Sequence, residues 1–147
     1  MARAQLALIL HRLEDTPSVE YTNIFPDVAP GQWYTDAILW ASEKGIVTGY
    51  SDTGKFGPSD NINREQMAVM MYRYANYRGL DTSTKADFSR FTDAKSVNDF
   101  AKEAMQWAVG TGIITGKDNE TRLDPQGNTS RAEASIILTR FAEMYLE

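Results

Sequence analysis

The chain has no cysteine in its 147 residues. That absence excludes a disulfide framework, thiol catalysis and a cysteine-bound metal. Histidine is nearly absent too, since His11 stands alone. It has no cysteine partner, its position on a helical segment places it at the surface or at a junction, and it assembles no catalytic constellation. Long apolar runs are missing, and none approaches the ~20 residues of a membrane span. The stretch Leu6 to Leu10 is too short for a signal-peptide core and lacks a cleavage site. Positive charge is outweighed, with 15 Lys and Arg against 20 Asp and Glu and a net charge of −5. The basic residues are also scattered, which argues against nucleic acid as a partner. Carboxylates are plentiful but unpaired. Asp52-Thr53-Gly54 and Asp118-Asn119-Glu120 lack the spacing and terminal glutamate of a calcium loop. Neither a metal, a cofactor nor an enzyme activity is therefore expected.

What is present is repetition. Residues 25–77 and 91–144 are two copies of one unit, and residues 2–16 are the back half of a third. Phe25-Pro26-Asp27 returns as Phe91-Thr92-Asp93, and Trp40-Ala41 as Trp107-Ala108. Gly45-Ile46-Val47-Thr48-Gly49 returns as Gly112-Ile113-Ile114-Thr115-Gly116. Phe56-Gly57-Pro58 returns as Leu123-Asp124-Pro125, and Asn63-Arg64-Glu65-Gln66 as Ser130-Arg131-Ala132-Glu133. The offset is 66 at the first pair (91 − 25) and 67 afterwards (107 − 40), so one residue is inserted between them. A repeat does not bury its apolar face alone, so neighbours must pack together. The length fits one compact domain over 1–147, divided as 1–20, 21–80 and 88–147. Met1 falls inside a repeat, so the chain reads as a piece of a longer protein with its first repeat truncated.

Three helices align on their arginines. Apolar residues follow Arg3 at Leu6, Ile9, Leu10 and Leu13, and follow Arg64 at Met67, Met70, Met71 and Tyr74. After Arg131 they fall at Ala134, Ile137, Leu138 and Phe141. This spacing gives each helix one apolar stripe. Three equal stripes predict a central three-helix bundle with pseudo-three-fold symmetry. Asn63 and Ser130 are N-caps with Gln66 and Glu133 three residues on, the capping-box pattern. Ala2 leaves the first helix without a capping side chain. A second helix is predicted in each full unit, Tyr34 to Lys44 and about Asp99 to Gly110, stopped near Gly45 and Gly112. Short β-like runs, Ile46–Thr48 and Ile113–Thr115, follow them, then turns, and residues 14–24 and 78–90 read as linkers. The fold class is thus mainly α, with helix and short-strand prongs around the bundle.

This ordered set of motifs over nearly the whole chain resembles the S-layer homology (SLH) family. Ala2-Arg3-Ala4-Gln5, Asn63-Arg64-Glu65-Gln66 and Ser130-Arg131-Ala132-Glu133 look like that family's Thr-Arg-Ala-Glu signature. The resemblance implies a pseudo-trimeric module that anchors surface proteins and exoenzymes non-covalently to secondary cell-wall polysaccharide. It implies an anionic ligand, often a pyruvylated hexosamine, held in grooves between repeats with the signature arginine central.

Residue physics points the same way. An arginine at the first helical position meets the positive end of the helix dipole, unfavourable by roughly 0.3–1 kcal/mol, yet it recurs in all three units. A guanidinium beside a helix N-terminus makes a fork for a carboxylate. The alternative is that Arg3, Arg64 and Arg131 bridge to acids such as Asp27 or Asp93 and lock repeats together. Trp33 follows Pro30-Gly31 and is the aromatic best placed to stack on a sugar, with Phe100 as its equivalent. Trp40 and Trp107 read as inter-repeat core. Gly49 and Gly116 either admit a ligand to the backbone or are plain turns, with Tyr50 and Lys117 as hydrogen-bond donors beside them. Asp27 and Asp93 read as structural residues that cap backbone or join repeats. The expected role is glycan anchoring at the bacterial cell surface, outside the membrane. The alternatives are a protein–protein assembly module of a surface layer, and attachment to an outer-membrane-linked polymer. The missing front half of the first repeat predicts either a homodimer or a tolerated deletion.

Overall fold

A computed structural model describes residues 1–146. It is mainly helical, and no strand is formed among the described residues. No helix among them is long and apolar enough to cross a membrane. The chain divides into two compact units, Met1–Asn61 and a second that begins at Ile62.

The first unit pairs α1 (Arg3–Leu13) with α2 (Thr35–Glu43). Leu6 and Leu10 of α1 are buried with Ile38 and Trp40 of α2 and with Ile46 and Phe56 beyond it. The α1 stripe stops short of its predicted end, for Leu13 is 45% exposed. His11 is not a surface residue: it is buried, its ring 5.3 Å from that of Trp40, with Nε2 2.8 Å from Pro17 O. Its apolar neighbour indole and one carbonyl account for it as core.

The second unit contains α3 (Arg64–Tyr77), α4 (Lys102–Gly110) and α5 (Arg131–Tyr145), with 3₁₀ turns at Ala94–Ser96 and Asp99–Ala101. α3 packs on α4. Met67, Met70, Met71 and Tyr74 are buried, as the periodicity predicts, and so are Ala134, Ile137 and Phe141 of α5. Trp107 meets Tyr72 at 5.4 Å and Phe141 at 6.4 Å between ring centroids. Tyr72 occupies on α3 the place of His11 on α1, so the pair of rings between helices recurs.

The helix ends follow the sequence in most respects. Gly45 and Gly112 adopt φ of +73° and +77°, where a side chain would be strained. Asn63 and Gln66 form the reciprocal capping box, at 2.8 and 2.9 Å. At Ser130 only half of the box forms. The Glu133 N–H donates to Ser130 Oγ at 3.0 Å, while the Glu133 carboxylate pairs with Arg64 instead. The short runs at Ile46–Thr48 and Ile113–Thr115 are irregular rather than strands. They have no neighbouring strand; their N–H groups return to Ala41 and Ala108 carbonyls, and their own carbonyls serve the arginines described next.

Candidate functional site

Arg3 and Arg64 sit in matching sockets. Arg3 Nε donates to Phe56 O at 2.9 Å and Nη2 to Thr48 O at 3.4 Å. Arg64 Nε donates to Leu123 O at 2.6 Å and Nη2 to Thr115 O at 2.7 Å. The acceptors are equivalent residues of the two repeats. Each socket is therefore built by the repeat that follows the arginine's own. Both side chains are buried, and their flanking amides are used as well. Arg3 N and Ala4 N donate to Asp60 O and Pro58 O, and Arg64 N and Glu65 N to Gly127 O and Pro125 O. The helix N-termini predicted to be open to an anion are thus filled by carbonyls of the protein itself.

The sockets differ in their third wall. Arg3 lies between the rings of Tyr50 and Phe56, at 4.8 and 4.7 Å from their centroids, a cation–π arrangement. Burial lowers the Arg3 pKa, opposed by Tyr50, Asp60 and Asp27. The Tyr50 hydroxyl donates to Asp60 Oδ2 at 2.8 Å, and burial together with that bond raises its pKa. Repeat three has Lys117 and Leu123 in place of the two rings. There Arg64 Nη1 instead meets Glu133 Oε2 at 3.1 Å.

Arg131 has no socket. It is exposed, and among the described residues neither its guanidinium nor the N–H groups of Arg131 and Ala132 have a protein partner. Farther along α5, a depression of about 100 Å³ is lined by Arg64, Ile113, Thr115, Glu133, Ile136 and Arg140, with other isoleucines. Arg140 Nη1 reaches Ile113 O at 3.4 Å, at the limit of a hydrogen bond, so most of its fork faces the depression unspent. One helix therefore carries an open cation at its dipole-positive end and a polar-rimmed, isoleucine-floored hollow along its length.

The other predicted residues are placed as follows. Trp33 is 59% exposed and Phe100 58%, Trp33 standing edge-on to Tyr34. Trp40 and Trp107 are buried between helices of successive repeats. Gly49 and Gly116 are half-exposed but leave no room for a side chain: an added Cβ would meet Phe25 Cε1 at 2.9 Å and Phe91 Cε1 at 2.6 Å. Lys117 is taken by Asp124 at 2.8 Å, which lowers the Asp124 pKa. Asp27 and Asp93 each accept two backbone N–H groups, from Phe56 and Gly57 and from Leu123 and Asp124, at 2.8 to 2.9 Å. These bonds lie inside one repeat rather than between two: the carboxylate pins the loop whose carbonyl receives the arginine of the preceding repeat.

Two contributors escaped the sequence reading. Arg140 had a signal, since Arg12, Arg73 and Arg140 each follow a signature arginine by nine residues (12 − 3, 73 − 64, 140 − 131). Glu65 had none, for its counterparts are Ala4 and Ala132. It is buried and accepts from Asn98 N at 3.0 Å, Asn98 Nδ2 at 2.5 Å and Gln126 Nε2 at 3.0 Å. Three donors satisfy a carboxylate that would otherwise be costly inside.

Among known proteins, the model of the S-layer homology domain matches residues 24–68 and 90–135. The amylopullulanase of Thermoanaerobacterium thermosulfurigenes is 31% identical over 138 residues, 94% of this chain and 7% of that protein. The surface-layer 125 kDa protein of Lysinibacillus sphaericus is 30% identical over 145 residues, 97% of this chain and 12% of that protein. Exoglucanase XynX of Acetivibrio thermocellus is 31% identical over 94% of this chain and 12% of its own length. The chain thus spans no more than 12% of the length of these relatives.

Proposed function

Because this chain belongs to the S-layer homology domain family, we propose that it anchors its parent protein by gripping a pyruvylated, anionic secondary polysaccharide of the cell wall. The module is an extracellular, cell-surface anchoring domain without catalytic activity of its own. The enzyme names of its relatives belong to proteins that extend far beyond the shared segment.

The observation that carries the proposal is the contrast between the three signature arginines. Arg3 and Arg64 are spent on carbonyls, whereas Arg131 presents an open guanidinium and free amides at the start of α5. A carboxylate there gains a bidentate fork and the helix dipole together. The hollow beside the same helix, rimmed by Thr115 and by Glu133 and Arg140 of α5, offers hydrogen bonds to the sugar that bears it. Arg64 supports the site from beneath, holding the Thr115 carbonyl in place.

Calorimetric titration with a pyruvylated hexosamine fragment tests this. Arg131→Ala should stay folded and lose affinity at least about tenfold, and the same sugar without pyruvate should bind no better to wild type than to the variant. Equal binding by wild type and Arg131→Ala would remove this site. The assembly reading draws on the exposure of Ile136 and Met144, 49% and 47%, on α5. It requires association that rises with protein concentration and ignores the sugar.

A further inference from the structure

Gly110, the last residue of α4, allows an approach that a side chain would block. A Cβ there would meet Thr84 Cγ2 at 2.9 Å and Ala86 N at 3.1 Å. The segment expected to be a plain linker therefore lies against the helix. Ala86 N–H donates to Gln106 O at 3.0 Å, and Lys85 pairs with Glu103 at 2.8 Å. The continuation of that segment closes one side of a cavity of about 300 Å³, lined chiefly by Asp87, Phe88, Lys95, Lys102 and Gln106.

Internal symmetry separates what the fold needs from what it does not. The residues that hold the repeats recur as pairs: Asp27 and Asp93, Arg3 and Arg64, Trp40 and Trp107, Gly49 and Gly116. The cavity residues do not recur. α2 and α4 align end to end, so Lys102, Gln106 and Gly110 stand where α2 has Thr35, Leu39 and Glu43. Thr35 and Leu39 are buried there, and Glu43 carries the side chain that Gly110 lacks. In one repeat the first two of these positions are filled by buried side chains; in the other, Lys102 and Gln106 line the cavity.

The lining has a definite chemical character. Phe88, half-buried, offers an apolar ring face. Lys102 and Gln106 are one helical turn apart on one side of α4. Gln106 both donates and accepts, Asp87 accepts, and the lysines donate. Charge is close to balanced, since Lys102 pairs with Asp99 at 2.8 Å and the lining holds the carboxylate of Asp87 as well as Lys95. That pair is solvent-exposed and worth little, so it opens readily. Balanced donors and acceptors around one ring suit a polyhydroxyl ring better than a phosphate or an apolar ligand, and the volume is at the small-ligand end of binding pockets.

We propose that this cavity is a second carbohydrate subsite, taking an uncharged hexose or hexosamine unit of the wall polysaccharide. It rests on the reading that the chain binds such a polymer, and it shares no residue with the α5 site. The test is an amide-shift NMR titration of the whole chain with the uncharged disaccharide of N-acetylglucosamine, and separately with pyruvylated hexosamine. The uncharged sugar should move the amides of Ala86, Lys95 and Gln106 saturably and leave Arg131 and Ala132 unmoved. Gln106→Ala, which trims the cavity wall, and Gly110→Glu, which displaces the segment, should each weaken that binding about tenfold or more. Both should leave the acidic sugar's effect at Arg131 intact. No saturable shift at residues 86–106, or equal binding by both variants, overturns the subsite. Absence of the acidic sugar's effect at Arg131, with the uncharged sugar still bound at 86–106, would instead sink the α5 site and leave the subsite standing.

Discussion

Arginines that look identical in sequence do different work here. Arg64→Ala removes three donors from a buried socket and strands the carbonyls of Thr115 and Leu123. It should destabilise the chain by about 3–5 kcal/mol, the usual loss when one partner of a buried charged network is deleted. Arg131→Ala should change stability by no more than about 0.5 kcal/mol, as exposed substitutions do. Urea midpoints of the two variants check both values, and equal losses would show that Arg131 also has a structural partner. Gly116→Ala should cost about 1–3 kcal/mol by overpacking against Phe91. Gly112→Ala, with open space around it but φ of +77°, should cost only about 1 kcal/mol. Acid acts through the depressed carboxylate of Asp124, whose cause is first its hydrogen bond from Lys117. A group ionising below its ordinary range stabilises fully above that range and loses its effect as pH falls through the depressed value. Stability should therefore drop below about pH 4. The Asp124 share is under about 1 kcal/mol because water screens the pair. Urea melts of Lys117→Met, compared with wild type at neutral and acid pH, should show a smaller acid loss. The aspartate and arginine roles were only partly legible, because their partners are backbone atoms, and a carbonyl leaves no mark on the sequence.

Whole elements were easier to read. Met67, Met70, Met71 and Tyr74 announce one buried stripe, and a four-residue cap pattern announces where α3 starts. The predicted strands failed for a physical reason: Ile46–Thr48 and Ile113–Thr115 are β-branched, but nothing lies alongside for them to pair with. β propensity needs a neighbour. Caps supply the element-scale prediction. Ala2 has extended dihedrals of −78° and 148°, suited to a capping side chain, and Gln5 already reaches back to its N–H at 2.8 Å. Ala2→Asn should raise stability by about 0.5–1 kcal/mol, and Asn63→Ala should lower it by about 1 kcal/mol. Thermal melts giving the same sign for both would show that these termini are held by their sockets and not by their caps. Glu133 marks the limit of pattern reading. It matches the capping box, yet Arg64 competes for its carboxylate and wins.

At the scale of the molecule, the repeats read from sequence and the compact units of the structure are out of phase. The sequence repeat runs from a Phe-x-Asp motif to the end of an arginine-led helix. The compact unit begins with such a helix and continues into the repeat after it, as Met1–Asn61 does. Three arginine-led helices therefore meet two sockets within the described chain, and α5 is the helix left over. The competing assembly reading predicts that two copies associate through the side where Ile136 and Met144 are exposed, whereas glycan anchoring needs no such contact. On that reading, sedimentation at rising concentration shows a dimer that Ile136→Glu abolishes. A strictly monomeric chain at every concentration would rule it out.

That phase shift also governs how such a gene can grow or shrink. An unequal crossover inside the array inserts or deletes one socket together with one arginine. Every junction between neighbouring repeats is then rebuilt from the same parts, whatever the repeat number. Copy number can drift without disturbing the joints, because each buried arginine finds its socket in whichever repeat follows its own.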